Sequence, residues 1–283
     1  MHRITVSLVV IALLVGLVGF AYFFLLRKTE RWVVYYTDAL PASAFSYYHV
    51  VVFDREKHPP LSPLIAEEKT LLGYISLGEA ETYRSNFTSI KEAGLLLGTG
   101  QEWKGNPVID TRNPAWQAMV LDELIPALLK KGFDGIMIDT VDSIVWLENN
   151  NPSRYSGMKT AMVTLIKTIR ARYPAIKIML NRGFDILPQV AGDIDMFLAE
   201  STLSTLDHAS KEFVLLSPAE REHYLRLLKA AKAKSPRLKI YTVDYWPTGD
   251  IEGVKKIYAT QRRAGFIPYV STMDLQAHTP EPQ

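Results

Sequence analysis

Residues 131–142 read Lys-Gly-Phe-Asp-Gly-Ile-Met-Ile-Asp-Thr-Val-Asp. A helical pattern runs into Gly132, and then a short apolar run from Gly135 stops at the carboxylate of Asp139. Such an unbroken run, too short for a helix and bounded by turn residues, is the pattern of a strand covered on both faces. The same unit recurs along the chain. Strands are expected at Trp32–Tyr36, His49–Phe53, Leu71–Leu77, Gly135–Asp139, Lys177–Asn181, Met196–Ala199, Lys239–Val243 and Phe266–Val270. Longer helical patterns separate them. Eight strand-then-helix cycles in about 250 residues predict an α/β fold of the closed (β/α)8 TIM barrel type. A doubly wound open sheet is the alternative.

The helices carry their own punctuation. Asn113-Pro114 supplies an N-cap followed by proline at the first helical position, and Gly132 follows Lys130-Lys131 at the other end. Pro126 lies inside that helix and should kink it. Met158, Met162, Leu165, Ile166 and Ile169 form one apolar face. Ser217 and Glu220 read as a capping box, and Asp250 as the cap of the last helix. The one long excursion, residues 78–112, contains Gly94-Leu-Leu-Leu-Gly98-Thr-Gly100, which matches no phosphate-binding signature and reads as a turn.

Residues 4–26 carry no charge and are closed by Arg27-Lys28. At 1.5 Å per residue such a run reaches roughly 34 Å, enough to cross a bilayer core. We therefore expect residues 1–29 to be a signal-anchor or transmembrane helix preceding a barrel domain at 30–283. A cleaved secretion signal is the alternative, in which case the domain is secreted; the apolar run continues past Gly19-Phe20-Ala21, which makes a poor cleavage site. Basic residues flank the run on both sides, Arg3 before it and Arg27, Lys28 and Arg31 after it, so charge alone gives no firm orientation and leans slightly toward a cytoplasmic domain.

The net charge of +2, without a basic stripe, gives no sign of nucleic acid as a partner. Zero cysteines exclude disulfides, thiolate metal sites and cysteine nucleophiles. The six histidines lack metal-ligand spacing and no G-x-S-x-G elbow exists, so neither a metal nor another cofactor is expected.

In a barrel of this type chemistry gathers at the C-terminal ends of the strands. Read in order, those ends give Tyr36 with Asp38, Asp54, Glu79 with Glu81, Asp139 with Asp142, Asn181-Arg182, Glu200, Asp244-Tyr245-Trp246 and Asp274. Acidic residues end strand after strand in a nearly neutral chain. Asp139 and Glu200 end strands four and six, from which side chains can converge over the mouth. Paired carboxylates are the equipment of glycosidic cleavage. Structural readings compete. Asp139 could cap the following segment, although Asp142 is the better cap, and Glu200 could be a buried partner of Arg182. Glu79 and Glu81 are candidates to line the cleft, unless one pairs with Arg84 or Arg112. Tyr36, Tyr245 and Trp246 offer faces on which a sugar could stack, or are rim packing. Asn181 and Arg182 could orient the carboxylates, while Asp110 should organise its own loop. Asp54 and Asp244 complete the substrate-binding candidates.

The stretches Tyr74-Ile-Ser-Leu-Gly-Glu-Ala-Glu81, Val108-Ile-Asp-Thr-Arg-Asn-Pro-Ala-Trp116 and Gly132-Phe-Asp-Gly-Ile-Met-Ile-Asp139 resemble the endo-α-1,4-polygalactosaminidase family, glycoside hydrolase family 114. The resemblance spans about residues 32–275. It implies a (β/α)8 barrel, export from the cytoplasm to the periplasm or cell surface, and hydrolysis of polysaccharides containing α-linked galactosamine. The family's catalytic Asp and Glu, ending strands four and six, fall on Asp139 and Glu200. Asp139 is then the nucleophile and Glu200 the acid/base of a retaining mechanism. A barrel that only binds polysaccharide within a surface or biofilm export assembly, and an anchored scaffold with an acidic protein-binding mouth, are the other readings; a pure binder has no need of both carboxylates.

Overall fold

The computed structural model describes residues 30–97 and 105–282. The expected membrane segment and the far end of the Gly94–Gly100 turn lie outside them. Among the described residues no helix is long and apolar enough to cross a membrane.

Eight strands form one parallel sheet in chain order: β1 (Trp32–Tyr35), β2 (Val50–Phe53), β3 (Thr70–Ser76), β4 (Gly135–Asp139), β5 (Lys177–Asn181), β6 (Met196–Glu200), β7 (Lys239–Tyr245) and β8 (Ile267–Ser271). Every expected strand is present, with ends within two residues of the sequence reading. The sheet curls into a nearly closed barrel. Its last seam, between β8 and β1, has no ladder among the described residues. Side chains close it instead: the Trp32 ring meets Tyr241 and Tyr269 edge-on at 5.5 and 5.8 Å between centroids. Above them the Tyr36 N–H donates to the Leu275 carbonyl at 2.9 Å. Most strand residues are buried on both faces, which is why the strands read as continuous apolar runs.

The helical punctuation is realised. Asn113 accepts from the Ala115 N–H, Ser217 and Glu220 form a reciprocal capping box, and Asp250 accepts from the Gly253 N–H. Gly132 ends its helix at φ 103°, a conformation that costs glycine little. Ahead of Pro126 the helix widens into a π-helical turn over Val120–Leu124, which makes room for the proline ring against the preceding carbonyl. Asp142 is not the cap it was expected to be. Helix Val141–Asn150 starts from Thr140, whose side chain makes no capping bond, and Asp142 sits in the first turn facing Arg182.

In the excursion after β3, Glu79 bridges to Val108 and Leu96 to Ile109, and a short helix spans Phe87–Glu92. After β6 a short antiparallel hairpin pairs Ser204–Leu206 with Phe213–Leu215.

Candidate active site

Strand register decides which side chains meet at the mouth. Ser76 of β3 is level with Asp139 of β4, Ile138 with Leu180 of β5, Asn181 with Leu198 of β6, and Glu200 with Val243 of β7. Side chains alternate along a strand, so Tyr74, Asp139, Asn181, Glu200 and Tyr245 all fall on the inward face.

Asn181 is the keystone. Its Nδ2 donates to Asp139 Oδ1 at 2.9 Å and to Glu200 Oε2 at 2.7 Å. One amide group therefore holds both carboxylates, using both of its N–H bonds. The other oxygen of Glu200 accepts from the Tyr245 hydroxyl at 2.6 Å. The Tyr74 hydroxyl bonds to Asp139, and the Tyr36 ring lies edge-on to Tyr74 at 5.2 Å. The two carboxylates remain partly exposed, open to a ligand from above.

Burial, and then the charge of Glu200, push the Asp139 carboxyl up to about 6, against smaller opposing effects of the Asn181, Thr140 and Tyr74 hydrogen bonds. The Tyr36 and Tyr245 hydroxyls are pushed well above their ordinary range, first by burial and then by the nearby carboxylates. Both are therefore neutral donors at any working pH.

Backbone geometry aims the same groups. The residues directly after Asp139, Asn181 and Glu200 are Thr140, Arg182 and Ser201, at φ 64°, 53° and 54°. Left-handed conformations are rare away from glycine, and three of them following three site residues mark backbone strain at the mouth. Gly78 permits the arrangement on the β3 side: a Cβ there would lie 2.1 Å from the Thr140 carbonyl oxygen. Thr140 Oγ1 accepts from the Gly78 N–H at 2.9 Å.

The remaining candidates are engaged elsewhere. Arg182 pairs with Asp142 and donates to the Glu200 backbone carbonyl at 3.1 Å, so it braces the strand end and leaves the Glu200 carboxylate free of an arginine partner. Glu81 and Asp54 both bind Arg84, at 2.8 and 2.6 Å, and Asp54 also accepts from the N–H groups of Glu56 and Lys57. This pairing and the turn hold Asp54 below its ordinary range despite burial. Glu79 is buried and bonded to Ser143 and Asn106. Asp244, expected to touch substrate, is fully buried with its back to the barrel. It accepts from the Leu203 and Ser204 N–H groups and from Gln261 Nε2, at 2.8, 3.0 and 2.6 Å, and so pins the loop that leaves Glu200. Trp246 donates to Asp250 at the helix cap and belongs to the rim, and Asp110 binds Arg112 within its own loop. Sequence reasoning missed Tyr74; the signal available was its place two residues before Ser76 on the inward face of β3.

The family model for Glycoside-hydrolase family GH114 matches residues 23–282. An uncharacterized protein of Deinococcus radiodurans is 27% identical over 266 residues, 88% of this chain and 82% of that one. An uncharacterized protein of Methanocaldococcus jannaschii is 25% identical over 82% of this chain and 72% of its own length. In fold, the chain is similar to the glycoside hydrolase domain of PelA from Pseudomonas aeruginosa, with TM-score 0.76 and 23% identity over 89% of this chain and 98% of that one. It is also similar to Aspergillus fumigatus Ega3, solved as a complex with galactosamine, with TM-score 0.63 and 16% identity over 87% and 92% of the two chains. A match across nearly the whole length, on a barrel whose mouth holds two bridged carboxylates, leads to one conclusion: the chain belongs to glycoside-hydrolase family GH114 and is a glycoside hydrolase.

Proposed function

We propose that the enzyme cleaves polysaccharide containing α-linked galactosamine by a retaining two-carboxylate mechanism, with Asp139 as nucleophile and Glu200 as acid/base. One observation carries the reading: a single amide nitrogen, that of Asn181, bonds both carboxylates. The two N–H bonds of an amide diverge at about 120°, so the bridged oxygens stand roughly 5 Å apart, the separation used by retaining rather than inverting glycosidases. Asp139 attacks the anomeric carbon as Glu200 protonates the leaving oxygen. Glu200 then takes a proton from the water that releases the glycosyl-enzyme. The galactosamine bound to Ega3 supports an amino-sugar substrate, as does the bridged carboxylate pair left to face a ligand.

The roles follow the family resemblance. In the unliganded site burial, and then the neighbouring Glu200 charge, favour the protonated form of Asp139. The roles are set by which carboxylate faces the anomeric carbon once sugar binds.

Release of reducing ends from partially deacetylated galactosaminoglycan tests the activity, and Asp139→Asn and Glu200→Gln should each abolish it while the fold stays intact. An activated aryl glycoside, which needs no acid, should restore the first-step burst to Glu200→Gln only, and added azide, which needs no base to release the glycosyl-enzyme, should then restore its turnover. Rescue of Asp139→Asn instead exchanges the roles; release of reducing ends undiminished by either change overturns the mechanism.

The apolar run 4–26 supports a membrane anchor, with the barrel on the outer side where an extracellular polysaccharide is met. Protease accessibility in intact cells tests this; full protection of the barrel overturns it.

A further inference from the structure

We propose that the strand-entry end of the barrel is a docking surface for anionic phospholipid headgroups, which seats the enzyme on its own membrane with the catalytic mouth turned away. This rests on the anchor reading above. The apolar run ends at Leu26, and β1 begins at Trp32. Five intervening residues, even fully extended, span less than about 20 Å. Since β1 is entered from the end opposite the mouth, that end is held next to the bilayer.

The chemistry of this end suits the headgroups. Lys177 and Lys239 open β5 and β7, and Arg237 lies in the loop before β7; all three are exposed around one depression. The carboxylates of that depression are already used. Glu30 binds Lys239 at 2.8 Å, and Asp195 binds Arg170 while accepting from the Ile178 N–H. Lys177 and Arg237 have no carboxylate partner among the described residues. Nearby, Asp134 turns inward to accept from the Leu71 N–H, and Glu67 pairs with Lys69. On the β1 side Arg31 lies 4.2 Å over the exposed ring of Tyr47, a cation–aromatic pair of the kind found at membrane interfaces.

A duller account exists. Cations collect at helix C-termini to answer the helix dipole, and in this barrel those termini also lie at the strand-entry end. That account covers Arg170, Arg172, Lys232 and Lys234, which occupy last turns. It does not cover Lys177 and Lys239, which begin strands, or Arg237, which lies in a loop. The opposite end carries the bridged Asp139–Glu200 pair, which has no arginine or lysine partner among the described residues, so an anionic surface favours the strand-entry end over the mouth.

The chain contains no cysteine, so single cysteines report position cleanly. Ala175→Cys, beside Lys177, and Thr82→Cys, on the mouth side, are labelled in the full chain reconstituted into vesicles bearing a headgroup-attached quencher. We expect the Ala175 probe to be quenched at least about twofold more in phosphatidylglycerol-containing vesicles than in phosphatidylcholine alone, and the gain to vanish in high salt or with Lys177→Glu/Arg237→Glu. The Thr82 probe should stay bright throughout. Equal quenching of both probes, or indifference of the Ala175 probe to headgroup charge, overturns the proposal while leaving the anchor standing. A carbonate wash that strips the chain from the vesicles overturns the anchor and this proposal together.

Discussion

Asn181 turns two like charges into a workable pair. Without its bridge, Asp139 and Glu200 would repel each other over the same small volume, and either could swing toward solvent. Asn181→Ala should therefore lower kcat/KM by about 10²–10³-fold, the usual cost of one preorganised donor at a reacting charge. It should also move the acidic limb of the pH profile upward, because a lost hydrogen bond to a carboxylate raises its proton affinity. A purely structural asparagine would change stability and leave that limb in place. Asp139 itself is held against its preference. Its folded carboxyl titrates near 6, above the ordinary 3.8, so it contributes stability below about pH 4 that is lost as pH rises through 6. Asp139→Asn removes the buried charge and can still accept from Asn181. At pH 7.5 the variant should be more stable than the wild type by on the order of 2 kcal/mol, a Tm rise of a few degrees. Near pH 3.5 the two should melt together. A variant less stable at neutral pH would mean that the charge is welcome there.

The elements explain what the sequence could and could not reveal. Eight apolar runs ending in polar residues were readable because each parallel strand is covered on both faces, and Asp139 and Glu200 stood out as carboxylates at the ends of such runs. Asp244 was misread for a definable reason. The strand was expected to stop at Val243, which put Asp244, Tyr245 and Trp246 together at the mouth. It continues to Tyr245, and strict alternation then sends Tyr245 inward and Asp244 into the helix layer beside Gln261. The pairing of Glu81 with Arg84 was one of the two readings its sequence allowed, whereas the capture of Asp54 by the same arginine depends on where Arg84 folds back, which no local pattern announces. The three left-handed residues were invisible for the same reason, since threonine, arginine and serine give no hint of positive φ. These residues are where function opposes stability. Ser201 has no bridging role comparable to that of Thr140, so Ser201→Gly isolates the effect of strain. Relief of about 1–3 kcal/mol, offset by about 0.5–1 kcal/mol of glycine entropy, should leave Tm unchanged or slightly raised. Turnover should fall severalfold as Glu200 loses its fixed aim. A fall in Tm of several degrees, or unchanged kcat, would show that the backbone at Ser201 is not strained for catalysis.

At the scale of the whole molecule, the formal charge of +2 conceals a separation: the bridged carboxylate pair stands at the strand exits, and Lys177 and Arg237, without a carboxylate partner among the described residues, stand at the strand entries. Several of the mouth carboxylates are already neutralised locally, Asp54 and Glu81 by Arg84 and Asp142 by Arg182. What remains to face a ligand is chiefly the bridged pair, whose oxygens are too close to carry two full charges comfortably. A cationic amino sugar would relieve that repulsion on binding, whereas an N-acetylated sugar would not. The difference can be read from salt. Screening acts on the encounter of a charged polymer with the mouth over a Debye length of about 8 Å at physiological ionic strength. For deacetylated polymer, KM should therefore rise severalfold as ionic strength increases from about 0.05 to 0.5 M, with kcat nearly constant because the chemical step is shielded once substrate is seated. For fully acetylated polymer both constants should be flat. A flat KM for the deacetylated chain, alongside cleavage of both polymers at equal rates, would show that the mouth selects its substrate by hydrogen bonding and shape, with charge playing no part.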